Sequence, residues 1–312
     1  MTTVEKELTD GMIKFLFKGA PVRGEIVSLG KEWEKMIANH HYPKPVTHLL
    51  GQFTAGAMLL TGTIKFDGEL ILQVQGDGPV SMLVVEVKND LTVRAMAKIR
   101  EGAEISEDAD MKQLINNTGK GRCAIILDPY DRAPGTQPYQ GIVPLDGPTP
   151  AAALETYMKQ SEQLDTRFWL SANPQKVGGL LIQKMPSTGG KTVGNTDPDA
   201  LNRIIQLAGT VRDHELLDLS ANEVIHRLFW QEELESVVAE EAVFNCNCSE
   251  DRIRAMLKSI GRKELDEILK EEKKIEVKCE FCNKLMVFSP EQIDALFAED
   301  EAEHAKSDKT LN

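Results

Sequence analysis

Cysteine is scarce in this chain, five in 312 residues, and four of the five fall after position 245. So few and so segregated a set argues against a secreted disulfide framework and favours a reducing compartment. Excess positive charge is missing too. Lys and Arg number 36 against 49 Asp and Glu, a net charge of -13, which argues against a generic binder of nucleic acid or anionic membrane, since both need clustered cations. No long hydrophobic run survives inspection. Val46 to Ile64 is free of Asp, Glu, Lys and Arg over roughly a span's length, but Gln52, Thr54, Thr61 and Thr63 interrupt it. Its Gly51, Ala55, Gly56, Ala57 and Gly62 suit a closely packed helix in a soluble core. Glu5, Glu7 and Asp10 precede any apolar run at the N-terminus, the wrong order for a secretory signal. The low-hydrophobicity signature of disorder is also absent: hydrophobic residues make up 41% and charged residues 27%, ordinary globular values that promise a real core.

What is present divides into three regions: an α+β core domain over 1–186, a flexible boundary and helical linker over 187–242, and a small C-terminal domain over 243–312. In the first, an amphipathic helix is expected near Lys31 to Asn39, and the small-residue helix follows the breaks at Pro43 and Pro45. Short Val-, Ile- and Leu-rich runs then predict strands at Glu69–Gln75, Val80–Val87 and Thr92–Ile99, separated by Gly76-Asp77-Gly78-Pro79 and Asn89-Asp90. Further strands are expected at Cys123–Leu127, Gln140–Val143, Arg167–Leu170 and Leu180–Lys184, with a helix across Ala151–Gln160. The sum is a largely antiparallel sheet with packed helices. Ser187 to Asn195, rich in Gly, Ser and Thr, marks a boundary, and everything after it reads as helix. Leu201, Ile204, Ile205 and Ala208 form one apolar stripe, and Val224, Ile225 and Leu228 another after a Ser220 cap. Such helices must cover something apolar.

The strongest motif lies in the acidic tail, where 12 Lys and Arg meet 21 Asp and Glu from Gln231 onward. Cys246-Asn247-Cys248 precedes Cys279-Glu280-Phe281-Cys282, two close pairs separated by enough chain to fold back on itself. Cys246, Cys248, Cys279 and Cys282 are the expected ligands of one tetrahedral zinc, closed and structural because four thiolates leave no place for water. Fortuitous cysteines or a permanent disulfide are the alternatives. Between the pairs, Ser249 caps a helix with Glu250 and Asp251 in its first turn, Gly261 stops it, and Lys263 to Lys270 forms a second. Ser289-Pro290 starts a last helix. Oxidation of the thiolates would forfeit on the order of 10 to 16 kcal/mol of metal-linked folding energy, and two short-range disulfides would restore little of it. The tail is therefore expected to loosen on oxidation.

Other signals are weaker. Gly190-Lys191-Thr192 resembles a phosphate loop, but Met185 stands where its first glycine belongs. His40, His41, His48, His214, His226 and His304 show no ligand spacing and no linked nucleophile. Cys123 reads as a buried core thiol, and Lys278 and Lys284 as solvated neighbours of the second pair.

The cysteine array, CxC then thirty residues then CxxC, resembles the redox switch of the heat-shock protein 33 family of chaperones. Val22-Arg23-Gly24-Glu25, Tyr42-Pro43-Lys44-Pro45-Val46, Thr63-Ile64-Lys65-Phe66-Asp67-Gly68, Gln73-Val74-Gln75-Gly76-Asp77-Gly78-Pro79, Tyr139-Gln140-Gly141, Ser161-Glu162-Gln163-Leu164 and Asn222-Glu223-Val224 carry the likeness over nearly the whole chain. Cys123 and the charged end after Ala298 depart from it. The resemblance implies a non-enzymatic, ATP-independent cytoplasmic holdase, silent when reduced and holding one zinc. It implies disulfides Cys246–Cys248 and Cys279–Cys282 on oxidation, release of zinc, and unfolding of the switch and of the linker from about Thr196 to Ala242. Exposed apolar surface would then bind unfolding client proteins, and the activated form would be a homodimer. Two other classes stay open: a thiol–disulfide oxidoreductase working through Cys279 and Cys282, and a zinc-ribbon adaptor.

Overall fold

The computed structural model describes residues 8–64, 66–133, 135–185, 197 and 199–298. The boundary Ser187–Asn195, with its Gly190-Lys191-Thr192, and the charged end after Ala298 lie outside these. The chain divides into two compact units, the break falling between Asn245 and Cys246. In chain order the first unit runs β1 (Gly11–Phe17), β2 (Val22–Leu29), α1 (Lys31–Ile37), α2 (Lys44–Thr63), β3 (Gly68–Gln75), β4 (Val80–Lys88), β5 (Thr92–Ile99), α3 (Met111–Ile115), β6 (Arg122–Pro129) and β7 (Tyr139–Pro144). It continues with α4 (Pro150–Tyr157), a π-helical turn (Met158–Glu162), β8 (Thr166–Ala172), β9 (Val177–Lys184), α5 (Ala200–Ala208), α6 (Asp213–Asp218), α7 (Ala221–Phe229), β10 (Leu234–Glu241) and β11 (Val243–Phe244).

Two sheets are built from these strands, one in the order β10-β1-β2-β9-β8 and the other β11-β5-β4-β3-β6-β7. Every pairing in them is antiparallel except β11 with β5. The mixed α+β class with its antiparallel sheets is the one the sequence indicated. Helix α2 packs on β8, β9 and β2 of one sheet and on β4, β5 and β3 of the other. Burial on both sides explains its composition. Sixteen of its residues are buried, and its hydroxyls turn inward without penalty because Thr54, Thr61 and Thr63 donate to the carbonyls of Leu50, Ala57 and Leu60 at 2.8, 3.0 and 2.9 Å.

The first sheet is covered on its other face by the helices that follow the boundary. Ile13, Phe15 and Phe17 alternate along β1 toward that face, where Val22, Ile26, Leu180 and Ile182 join them. Ile204 and Ala208 of α5, Leu216 of α6, and Val224, Ile225, Leu228 and Phe229 of α7 close over them. Phe229 stands edge-on to Phe17 with ring centroids 5.0 Å apart, and Phe15 lies 5.9 Å from it. At Gly178 of β9 a Cβ would collide with the Leu216 carbonyl, so glycine is what lets α6 settle onto the sheet. The Ser220 hydroxyl accepts from the Glu223 N–H at 3.3 Å, and the Glu223 carboxylate accepts from the Ser220 N–H at 2.8 Å. This capping box fixes where α7 begins. Ser220→Ala is expected to cost about 1 kcal/mol of stability, read as a lower urea midpoint at unchanged slope.

The structure corrects the expectation of helix throughout this region. Leu234–Glu241 is a strand, paired with β1 from Phe17↔Leu234 to Gly11↔Glu241. Its Leu, Glu and Ala content favours helix locally, but pairing with an apolar strand edge overrides so weak a preference. Strands β1 and β2, for which no strand was expected, are covered on both faces, which erases the alternation that marks a half-buried strand.

Candidate metal and redox centre

The second unit is built around very little apolar material. Ile253 and Leu257 of α8 (Glu250–Ile260), Leu265 of α9 (Arg262–Glu272), Ile275 of β12 (Ile275–Lys278), Phe288 of β13 (Leu285–Phe288), and Ile293 and Leu296 form its core. Seven side chains are a thin basis for an independent fold, and units of this size ordinarily need a staple. Local signals set the elements as read from the sequence. Ser249 accepts from the Arg252 N–H at 3.2 Å. Gly261, at φ +95°, separates α8 from α9 in a region of backbone space that suits glycine. Ser289 accepts from the Gln292 N–H and its own N–H donates to the Gln292 carboxamide at 2.8 Å, which opens the helical stretch 290–298.

The cysteines are placed by the hairpin and by the chain entering α8. Strands β12 and β13 pair antiparallel up to Lys278↔Leu285, and Cys279 to Cys282 lie in the turn beyond. The Cys279 N–H donates to the Lys284 carbonyl at 3.1 Å and the Asn283 N–H to the Cys279 carbonyl at 2.8 Å, with Asn283 at φ +53°. Cys246 and Cys248 precede α8 in an irregular segment. The four Sγ atoms all lie within 4.8 Å of one another, half-buried, and they are the one such ligand group among the described residues. Cys246 Sγ is 3.5 Å from Cys279 Sγ, and Cys248 Sγ is 3.3 Å from Cys282 Sγ. A tetrahedral zinc–thiolate site with bonds of about 2.3 Å has sulfur–sulfur edges of about 3.8 Å, so this donor set fits the expected ion in number, chemistry and spacing.

Electrostatics distinguish the thiols. Burial is the largest influence on Cys246, Cys279 and Cys282, and it pushes Cys246 and Cys282 up. At Cys279 the same burial is outweighed by the N–H groups of Cys282 and Phe281 and by the Cys246 and Cys282 thiols, so its thiol is held below the ordinary range. Lys278 and Lys284 are exposed.

Cys123 stands apart, on β6 and fully buried within the first unit's core. Burial pushes its thiol up to about 12. Since the thiolate is the reactive form, native protein treated with peroxide and then alkylated in denaturant is expected to carry Cys123 fully alkylated and unoxidised in a peptide map. The histidines contribute no metal cluster among the described residues.

The fold is that of a known chaperone group. The Hsp33 protein family model matches residues 10–289, and the chain belongs to that family. A "33 kDa chaperonin" of Methylobacillus flagellatus is 41% identical over 292 residues, 93% of this chain and 95% of the relative. One from Shewanella woodyi is 39% identical over 298 residues, covering 95% and 99%. The crystal structure of the Thermotoga maritima 33 kDa chaperonin, at 23% identity, superposes with a TM-score of 0.74 over 94% of this chain and 99% of that one, and so shares the fold. No helix among the described residues is long and apolar enough to cross a membrane.

Proposed function

We propose that this chaperone is a redox-regulated, ATP-independent holdase whose reduced form holds one zinc ion through Cys246, Cys248, Cys279 and Cys282. The observation that carries the reading is the four-sulfur cluster set in a unit whose core, among the described residues, has seven buried apolar side chains. A bound zinc would supply the folding energy that so small a core lacks, and would keep the thiolates deprotonated, ready targets for oxidant. On oxidation, Cys246 and Cys248 give up two electrons to one peroxide and join as a disulfide, and Cys279 and Cys282 do the same with a second. Each peroxide takes up two protons and leaves as two waters. No thiolate then remains to hold metal, and the second unit loses its staple.

The same reading assigns the boundary and linker, 187–242, a second role. Helices α5, α6 and α7 cover the Ile13, Phe15 and Phe17 surface in the resting state and uncover it in the active one, where unfolding client proteins bind and the chaperone dimerises. The acidic net charge fits a cytoplasmic protein with no nucleic-acid partner. An enzymatic reading as a thiol–disulfide oxidoreductase draws on the CxxC turn and the stabilised Cys279 thiolate, but leaves Cys246 and Cys248 without a task. Light scattering by an unfolding client separates the two. The holdase suppresses aggregation only after peroxide treatment and at near-stoichiometric amounts, whereas an oxidoreductase turns over insulin disulfides in catalytic amounts.

A further inference from the structure

A buried carboxyl oxygen without a hydrogen-bond partner lies in the first unit, far in sequence from the cysteines. Glu25 of β2 is 1% exposed, and its Oε2 has no hydrogen-bond partner. Each element packed against it can be named. Lys14 of β1 is its opposite number across one ladder and Leu181 of β9 across the other. From α2, Gly62 comes so close that a Cβ there would collide with Oε2. Arg23, on the same face two residues earlier, is occupied elsewhere, donating to the Gln183 side chain and, at 2.9 Å, to the Thr63 carbonyl. The remaining charged neighbour is Glu240 of β10, whose Oε2 is buried at the atom level and lies 2.6 Å from Lys14 Nζ. Lys14 thus stands between two carboxylates, one on each neighbouring strand.

The two carboxylates are held unequally. Strand β2 is locked between β1 and β9, while β10 is the outermost strand and pairs only with β1. The β1–β10 ladder is already irregular between Lys14 and Leu16, and Val238, opposite Lys14, is half exposed. Strain between Glu25 and Glu240 is therefore relieved at β10, where Glu240 can swing into water without disturbing a central strand.

We propose that Glu25, Lys14 and Glu240 form a proton-dependent clasp on β10, in which a proton on Glu25 holds the strand against β1 and loss of that proton loosens it. The clasp is separate from the cysteine chemistry and does not depend on the redox reading. Burial first, and Glu240 in addition, push the Glu25 carboxyl up to about 7, against the opposing pull of Arg23 and Lys14. Folded protein therefore holds this proton over a pH range in which an ordinary carboxyl has lost it. The stability that the proton confers is present at low pH and is lost as pH rises from the ordinary value of 4.5 through about 7.

The test is amide hydrogen exchange of the 234–241 peptide in the full, reduced, zinc-loaded chain between pH 6 and 8.5, with rates normalised to the intrinsic rate and to the 177–184 peptide of β9. β10 protection is expected to fall by about threefold relative to β9, which corresponds to about half a pKa unit of coupling between Glu25 and the strand. Both Glu25→Gln and Glu240→Gln are expected to abolish the fall. The second changes a half-exposed side chain and so serves even if the first fails to fold. A flat profile in the wild type, or a pH dependence that persists in Glu240→Gln, overturns the clasp.

Discussion

Replacing Cys279 by serine is expected to reduce bound zinc from one per chain to less than a tenth, and to unfold the second unit without any oxidant. The magnitude follows from how little else holds that unit. Zinc linkage in comparable small domains is worth on the order of 10 to 16 kcal/mol, while seven apolar side chains at about 1.5 to 3 kcal/mol each must also offset the ordering of some fifty residues at more than about 1 kcal/mol apiece. Cys279 is the position to change first, because the N–H groups and thiols around it hold its thiol below the ordinary range. Limited proteolysis should cut between 246 and 298 in Cys279→Ser while the first unit stays resistant. Cys123→Ser, which removes a sulfur from a different core, should keep its zinc.

The second large effect concerns the cover rather than the switch. Phe229→Ala removes the α7 ring that packs against Phe15 and Phe17, a buried aromatic whose truncation costs about 3 to 5 kcal/mol. The loss falls on α5 to α7, which hold the first sheet from one side only. Reduced, zinc-loaded Phe229→Ala is therefore expected to suppress client aggregation before any oxidation. Phe53→Ala is the control. Phe53 lies fully buried on α2 between the two sheets, so its loss should lower stability by a similar amount without uncovering the β1 face or activating the protein. Equal activation by both variants would mean that general loosening, not removal of this cover, releases client-binding surface.

These expectations draw on features with different visibility in the sequence. The cysteine cluster was legible because ligand spacing, the Ser249 cap and the Gly261 stop are all encoded within a few residues of where they act. The buried character of α2 was legible for the same reason, its small residues and uncharged stretch being local. The α5 and α7 stripes could be read, but not what they cover, since nothing in 11–29 announces strands buried on both faces. Strand β10 was hidden for the complementary reason. Its pairing partner lies at the opposite end of the chain, with Lys18 Nζ and Glu233 Oε2 brought to 2.6 Å across 215 residues. Local propensity carries no trace of so distant a ladder. The Glu25 cluster is the extreme case, since its three members look like ordinary surface charges until the sheet assembles them.

The central claim is that oxidation of the four clustered cysteines turns client binding on in the native chain. It is tested most directly by following zinc release and suppression of client light scattering together, in one preparation, through peroxide treatment and subsequent reduction with zinc restored. The account predicts one zinc released per chain, suppression that rises with that release, and loss of suppression when zinc and thiols are restored. Suppression that is already full in the reduced, zinc-loaded protein, or zinc that stays bound while suppression rises, would contradict it.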